Sequence, residues 1–199
     1  MSQWVNKDFW RNIYLIFMPN YVIPDLYVEG IWALNSDDLI RRGINNCIVD
    51  VNQTLIAYNH KHPPEKVIEV IHIMQEHFQM CALSNYIGNA IEDKQNERAM
   101  AIESELNMPV IRSGSKKPSL SAYENALKYM GARSFDTCFI GDRIFTDTIG
   151  AKRAGLFTVL VDPIDINEDP LFVKIPRCIE RVILRIMSIV ARLTGITYG

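Results

Sequence analysis

The sequence carries no charge excess of either sign. Across 199 residues, 21 lysines and arginines meet 23 aspartates and glutamates, for a formal charge of −2. A chain that coats nucleic acid is normally basic, so a nucleic-acid partner is not expected. Cysteine is scarce. Cys47, Cys81, Cys138 and Cys178 are far apart and form no CxxC pair, which removes zinc-ribbon and thioredoxin-type chemistry. Three of them sit in apolar runs as small hydrophobes, and a reducing, cytoplasmic setting fits them. Long apolar runs are also missing. IYLIFM (13–18) and VILRIMSIVARL (182–193) are too short or carry arginine, so no membrane-spanning helix is expected. The first residues, MSQWVNKDFWRN, lack the basic and apolar regions of a secretory signal. There is no internal repeat and no low-complexity segment.

What remains is a chain 48% hydrophobic and 22% charged, the balance of one globular domain with extensions. Residues 1–44 are rich in aromatics, broken by Pro19 and Pro24, and expected to pack on the core. SDDLIRR (36–42) reads as a short helix with Ser36 as N-cap. From residue 45 to 165 a pattern repeats. Apolar runs NNCIVDV (45–51), MCALS (80–84), PVIRS (109–113), DTCFIGD (136–142) and FTVLVDP (157–163) alternate with helical stripes. The stripes lie over 64–78 (Val67, Val70, Ile71, Met74, Phe78), 88–106 and 119–130, the last closed by Gly131. A short helix over 146–154 stops at Gly155. Strand–helix alternation predicts right-handed βαβ units, hence an α/β fold: a three-layer, doubly wound parallel sheet. Residues 166–199 form a basic amphipathic helix.

Such sheets bind ligands at the carboxyl ends of their strands. The residues there are Asp50-Val51-Asn52-Gln53-Thr54, then Ser84-Asn85, then Gly141-Asp142 with Asp147 five residues on. Lys116-Lys117-Pro118 opens the loop before the 119–130 helix. Clustered carboxylates repel unless a cation neutralises them, and an all-oxygen site of this kind suits Mg²⁺ together with a substrate phosphate. A lysine and hydroxyls suit the phosphate oxygens, and Asp50 is a candidate carboxylate nucleophile. Taken singly, each residue also has a bland reading. Asp50 and Ser84 can be helix caps, and Asp147 can complement a helix N-terminus. His60 and His62 have no metal-ligand spacing and read as surface residues.

Asp-x-Asn-x-Thr, Ser-Asn, Lys-Pro and Gly-Asp-Arg-Ile-Phe-Thr-Asp, in that order at strand ends, resemble the four motifs of the haloacid dehalogenase (HAD) superfamily. The flanks PDLYVEGIWALNSDDLIRRGINNCIVDVNQTL, KKPS and GDRIFTDTIGAKRAGLFTVLVDP resemble the YqeG-type subclass IIIA phosphatases over residues 17–163. The resemblance implies that Asp50 forms an aspartyl-phosphate. It implies that Thr54, Ser84 and Asn85 bind the phosphoryl group, and that Lys117, rather than Lys116, stabilises it. Asp50, the residue 52 carbonyl and Asp142 would hold Mg²⁺, with Asp147 as a second acidic position supporting the metal or Lys117. One position departs. The family carries an aspartate general acid two residues after the nucleophile, whereas this chain has Asn52. An amide cannot trade a proton near neutral pH, so turnover should be slow.

Only 33 residues separate Asp50 from Ser84 and 32 separate Ser84 from Lys117. Each gap holds one helix, so no cap domain encloses the site. The resemblance then implies a large or membrane-borne phosphate, of the phosphatidylglycerophosphate type. Three other readings stand beside it: a catalytically degenerate binding module, a phosphatase for a soluble phosphomonoester, and a phosphoprotein phosphatase. Residues 174–193 set Lys174, Arg177, Arg181, Arg185 and Arg192 among Ile175, Ile179, Val182, Ile183, Ile186, Ile189, Val190 and Leu193, with Glu180 the one acid. Such a helix can lie on the inner face of a membrane, with Trp4, Phe9, Trp10, Tyr14 and Phe17 as aromatic anchors. Core or dimer contacts are the competing reading of both stripes. No motif speaks to oligomeric state.

Overall fold

A computed structural model describes residues 13–85, 93–112 and 114–194. Trp4, Phe9, Trp10 and the start of the 88–106 stripe lie outside the described residues. Six strands form one parallel sheet: β1 (Leu26–Val28), β2 (Asn46–Asp50), β3 (Gln79–Ser84), β4 (Val110–Arg112), β5 (Thr137–Gly141) and β6 (Phe157–Val161). Their order is β1-β6-β5-β2-β3-β4, so the chain reverses direction beside β2. Both β2 and β5 are buried along their whole length, as a parallel sheet covered on two faces requires.

Alternate strand residues feed two cores. Cys47, Val49, Ala82, Cys138 and Ile140 face one layer, with Val67, Ile71 and Met74 of the Glu65–Gln75 helix and Ile102 of the Asp93–Glu105 helix. Ile48, Cys81, Leu83 and Phe139 face the other, against Ala122, Tyr123, Ala126 and Met130 of the Leu120–Met130 helix. This is the three-layer α/β architecture. A third, smaller cluster joins Leu15, Val22, Ile144, Phe145, Ile149 and Leu160 to Ile183 and Leu184 of the C-terminal helix, Leu171–Thr194.

Several local expectations change. The cap of the Ser36–Arg41 helix is Asn35, whose side chain accepts from the Asp37 N–H at 2.9 Å; Ser36 is already helical. The Glu65–Gln75 helix stops three residues short of Phe78, which is buried from the following turn. The segment after β5 begins as a π-helical turn (Ile144–Thr148) and becomes α-helical only over Ile149–Arg153. Residues 26–28 form an edge strand beside β6 that periodicity did not show, tied down where Asp25 accepts from Thr158 N–H and hydroxyl. Gly131 does close its helix, with φ +64°.

Candidate active site

The carboxyl ends of β2, β3 and β5 meet beside the point where the chain reverses. β2 delivers Asp50, and register pairs it with Leu83, so Ser84 stands one residue further along the neighbouring strand. The turn after Asp50 is tight: Leu55 and Ile56 N–H groups both return to the Val51 carbonyl. Gln53 sits there at φ +63°, a region that costs a non-glycine residue about 1 kcal/mol or more. Its amide is held in compensation. Nε2 donates to the Asp165 carbonyl (2.6 Å) and Asp169 Oδ1 (2.7 Å), while Oε1 accepts from the Asp165 N–H (3.0 Å).

Lys117 is buried and Lys116 is exposed. The Lys117 ammonium contacts Asp50 Oδ1 and lies 2.8 Å from Asp147 Oδ1, and its backbone N–H donates to Asn85 Oδ1 at 2.7 Å. Asp50, Asp142 and Asp147 bring one carboxylate oxygen each within 4.8 Å of one another. Asp147 reaches this position because residue 141 is glycine: a Cβ there would lie 2.7 Å from the Asp147 carboxyl carbon. Asp147 Oδ2 also accepts from the Arg143 N–H. Behind it, the Tyr123 hydroxyl donates to the Thr146 carbonyl and packs where any side chain on residue 150 would collide.

The C-terminal helix supplies residues that sequence reasoning left on the surface. Arg177 is buried; Nη2 lies 2.6 Å from Asp142 Oδ2, Nη1 donates to the Asp142 carbonyl, and Nε donates to Asp169 Oδ2 at 2.5 Å. Glu180, also buried, accepts two bonds from Arg143 and one from the Phe145 N–H. The one available signal was a lone acid three residues after an arginine in an otherwise basic stripe. Arg98 was missed as well. It is buried, donates to the Ile56 and Tyr58 carbonyls, and leaves Nε without a partner among the described residues. His60 and His62 are exposed and pair with Glu168 and Glu105.

Three carboxylates therefore face two cations, Lys117 and Arg177, in a buried cluster. Burial, with Asp147 adding to it, raises the Asp50 pKa to about 6 although Lys117 opposes the shift. Burial raises Asp142 to about 8 against the pull of Arg177. Burial works against the Lys117 charge, but Asp147 and Asp50 together outweigh it and hold its pKa above the ordinary value. Among the described residues Thr54 Oγ1 is buried without a partner, and Asp142 Oδ2 and Asp147 Oδ1 are buried with only the Arg177 and Lys117 cations against them. Orphaned buried oxygens are costly unless something completes them. An oxygen-only donor set with unspent lone pairs fits a hard divalent cation, and the Thr54 hydroxyl fits a phosphate oxygen.

Comparison with known proteins agrees with this geometry. Residues 10–165 match the family described as mitochondrial PGP phosphatase. The probable phosphatase YqeG of Bacillus subtilis is 29% identical over 168 residues, covering 84% of this chain and 92% of that one. Phosphatidylglycerophosphate phosphatase 1, chloroplastic/mitochondrial, of Arabidopsis thaliana is 30% identical over 168 residues, covering 83% of this chain; the chain spans 48% of that protein's length. Among solved structures, the magnesium-bound putative HAD-hydrolase YfnB from Bacillus subtilis aligns with TM-score 0.44 and 18% identity, over 55% of this chain and 50% of that one. The molecule is thus a phosphatase, a phosphoric monoester hydrolase. The chain belongs to the mitochondrial PGP phosphatase family.

Proposed function

We propose that this chain removes the terminal phosphate of a phosphatidylglycerophosphate-type lipid, with Mg²⁺, through an aspartyl-phosphate on Asp50. The observation that supports this most is the buried Asp50 carboxylate, held by Lys117 beside Asp142 and Asp147 at the open end of the sheet. The relatives' names supply the lipid.

In this reading Asp50 attacks phosphorus. An Asp50 oxygen–phosphorus bond forms as the bond to the glycerol oxygen breaks. Lys117 orients Asp50 and draws charge from the transferring group. Thr54 and Ser84 hydrogen-bond the phosphoryl oxygens, and Asn85 holds the loop that carries Lys117. Asp50, the Asn52 carbonyl, Asp142 and Asp147 are the ligands for Mg²⁺, which when bound screens the phosphate charge and fixes its orientation. Asn52 cannot protonate the departing oxygen or deprotonate the water that later releases phosphate. Both proton transfers fall to solvent, and both steps are slow.

The raised carboxyl pKa values set a pH dependence. A metal ligand must be deprotonated, so Mg²⁺ affinity should climb as pH rises through about 6 towards 8. Calorimetry at pH 6 in two buffers of different ionisation heat should record proton release on binding. Without Mg²⁺ the sign for stability is opposite. Carboxyls raised above their ordinary 3.8 favour folding at low pH, and that contribution is lost as pH rises through the folded values. The melting temperature of Asp142→Asn should therefore fall less than that of the natural chain between pH 5 and pH 8. Identical pH profiles would contradict the reading.

Contact with the inner face of a membrane belongs to the same proposal. Among the described residues no helix is long and apolar enough to cross one. The C-terminal helix instead exposes Ile175, Ile179, Val182, Ile186, Ile189 and Leu193 while Arg177 and Glu180 face inward. Apolar surface of this extent beside basic residues suits an anionic interface. Deleting the helix would also destroy the Arg177 and Glu180 contacts, so the clean test is Ile175→Gln with Ile179→Gln and Ile186→Gln. Flotation with anionic vesicles should fall more than tenfold while soluble-substrate turnover holds. Unchanged flotation would reject membrane contact.

Phosphate release with Mg²⁺ tests the whole proposal. Lipid phosphate in vesicles should be preferred over small phosphomonoesters. Equal rates on both would favour a soluble substrate, and background rates on both, unrescued by Asn52→Asp, would favour a binding module.

A further inference from the structure

The cleft between the C-terminal helix and the ends of β1, β5 and β6 holds about 230 Å³. Its lining includes Asp142, the same carboxylate that faces Asp50, together with Arg177, Arg181 and Arg185 and the acids Asp162 and Glu180. Spacing of four residues stacks the three guanidinium stems on one helix face. At 1.5 Å per residue, Arg181 and Arg185 stand about 6 and 12 Å along the axis from Arg177.

The three arginines are not equally committed. Arg177 is spent on Asp142 and Asp169. Glu180 is spent on Arg143, which lies outside the cleft lining. Arg181 has one exposed partner, Asp162 Oδ1 at 2.9 Å, and Asp162 already accepts from the Tyr27 hydroxyl. Exposed pairs of this kind are weak and readily exchanged. Arg185 is exposed and has no hydrogen bond or ion pair to any described residue. The cleft therefore keeps an unspent guanidinium, with a second one loosely held, and it shares Asp142 with the Asp50 carboxylate cluster. Guanidinium groups bind phosphate oxygens in pairs and with direction.

The geometry points to a second anion subsite: Arg185, with Arg181 released from Asp162, binds the phosphodiester that is not transferred. This rests on the proposed lipid phosphatase activity and gives it a reason for specificity. A phosphatidylglycerophosphate-type molecule carries a phosphomonoester and a phosphodiester on the two ends of one glycerol. With the monoester at Asp50, the shared Asp142 would bring the diester within reach of the cleft. The acyl chains then leave past Ile186 and Ile189, exposed on the same helix. A one-phosphate substrate leaves the cleft unused.

Two soluble probes separate the possibilities: the deacylated two-phosphate headgroup and glycerol phosphate. The natural chain should show a KM for the headgroup about tenfold lower. Arg185→Gln should remove that preference, raising the headgroup KM about tenfold with kcat and glycerol phosphate kinetics unchanged; Arg181→Gln should raise it less. Calorimetric binding of the headgroup, read without turnover, should weaken by the same factor. Flotation of Arg185→Gln with vesicles of a neutral galactolipid and a fatty acid, which are anionic but carry no phosphate, should match the natural chain. Equal kinetics on both probes in the natural chain would overturn the subsite and leave the phosphatase reading standing. So would a loss in Arg185→Gln shared by both probes, or lost flotation with intact headgroup binding, which makes Arg185 a reader of membrane charge. No release from either probe or from lipid would instead sink the phosphatase reading, and calorimetry would still judge the subsite.

Discussion

Asn52→Asp raises the rate of phosphate release by about 10²–10⁴-fold, the usual worth of a general acid–base group. The site is otherwise assembled: Asp50, Lys117, Asp142 and Asp147 are in contact without any contribution from the residue 52 side chain. Asn52 is half-buried, bridges to Ile56 only through backbone, and its amide bonds to no other described residue. A carboxylate of the same shape therefore loses no contact on replacing it. What it adds is a proton for the leaving oxygen and a base for the attacking water. The gain should appear in kcat more than in KM, because the substitution acts on bond breaking and not on ground-state binding. The new activity should also follow a pH profile absent from the natural chain. Steady-state phosphate release from a small phosphomonoester checks both. No gain, with folding intact by thermal melting, would show that turnover is limited elsewhere.

Asp50→Asn has the opposite sign and the larger effect. Removing the proposed nucleophile should lower phosphate release by at least about 10⁴-fold. It should not unfold the chain. Asp50 is a buried carboxyl whose ionisation is opposed by burial and by Asp147, and Lys117 retains Asp147 as its partner. The melting temperature at pH 8 without Mg²⁺ should be equal to or above that of the natural chain, since a carboxyl raised to about 6 costs folding stability once it is ionised. Lost activity together with lost folding would make Asp50 a structural residue first. Retained activity would remove it from the chemistry altogether.

Much of this arrangement was legible because two periodicities are strong. The runs at 45–51, 80–84, 136–142 and 157–163 are apolar on both faces, which only a doubly covered parallel sheet explains, and their final residues carry the polar groups. What escaped notice was short or two-faced. The edge strand 26–28 has three residues, too few for alternation to register. Asn35 and Ser36 are both good caps, and only backbone geometry chooses between them. Arg177 and Glu180 read as part of a solvated basic stripe because a helix shows its charges at one spacing whether they face water or a buried partner. Gln53 was passed over since nothing in the sequence announces a left-handed turn that must be pinned by Asp165 and Asp169.

The central claim is that Asp50 takes the phosphoryl group. With an aryl phosphomonoester, whose leaving group departs without a proton, Asn52 slows only the second step, so the intermediate should accumulate. Mixing the chain with Mg²⁺ and this phosphomonoester, quenching in acid and mapping peptides by mass spectrometry should find one phosphoryl group, on the peptide containing Asp50, and none in Asp50→Asn. A phosphoryl group on another residue, or phosphate release with no labelled protein at any time point, would contradict the account.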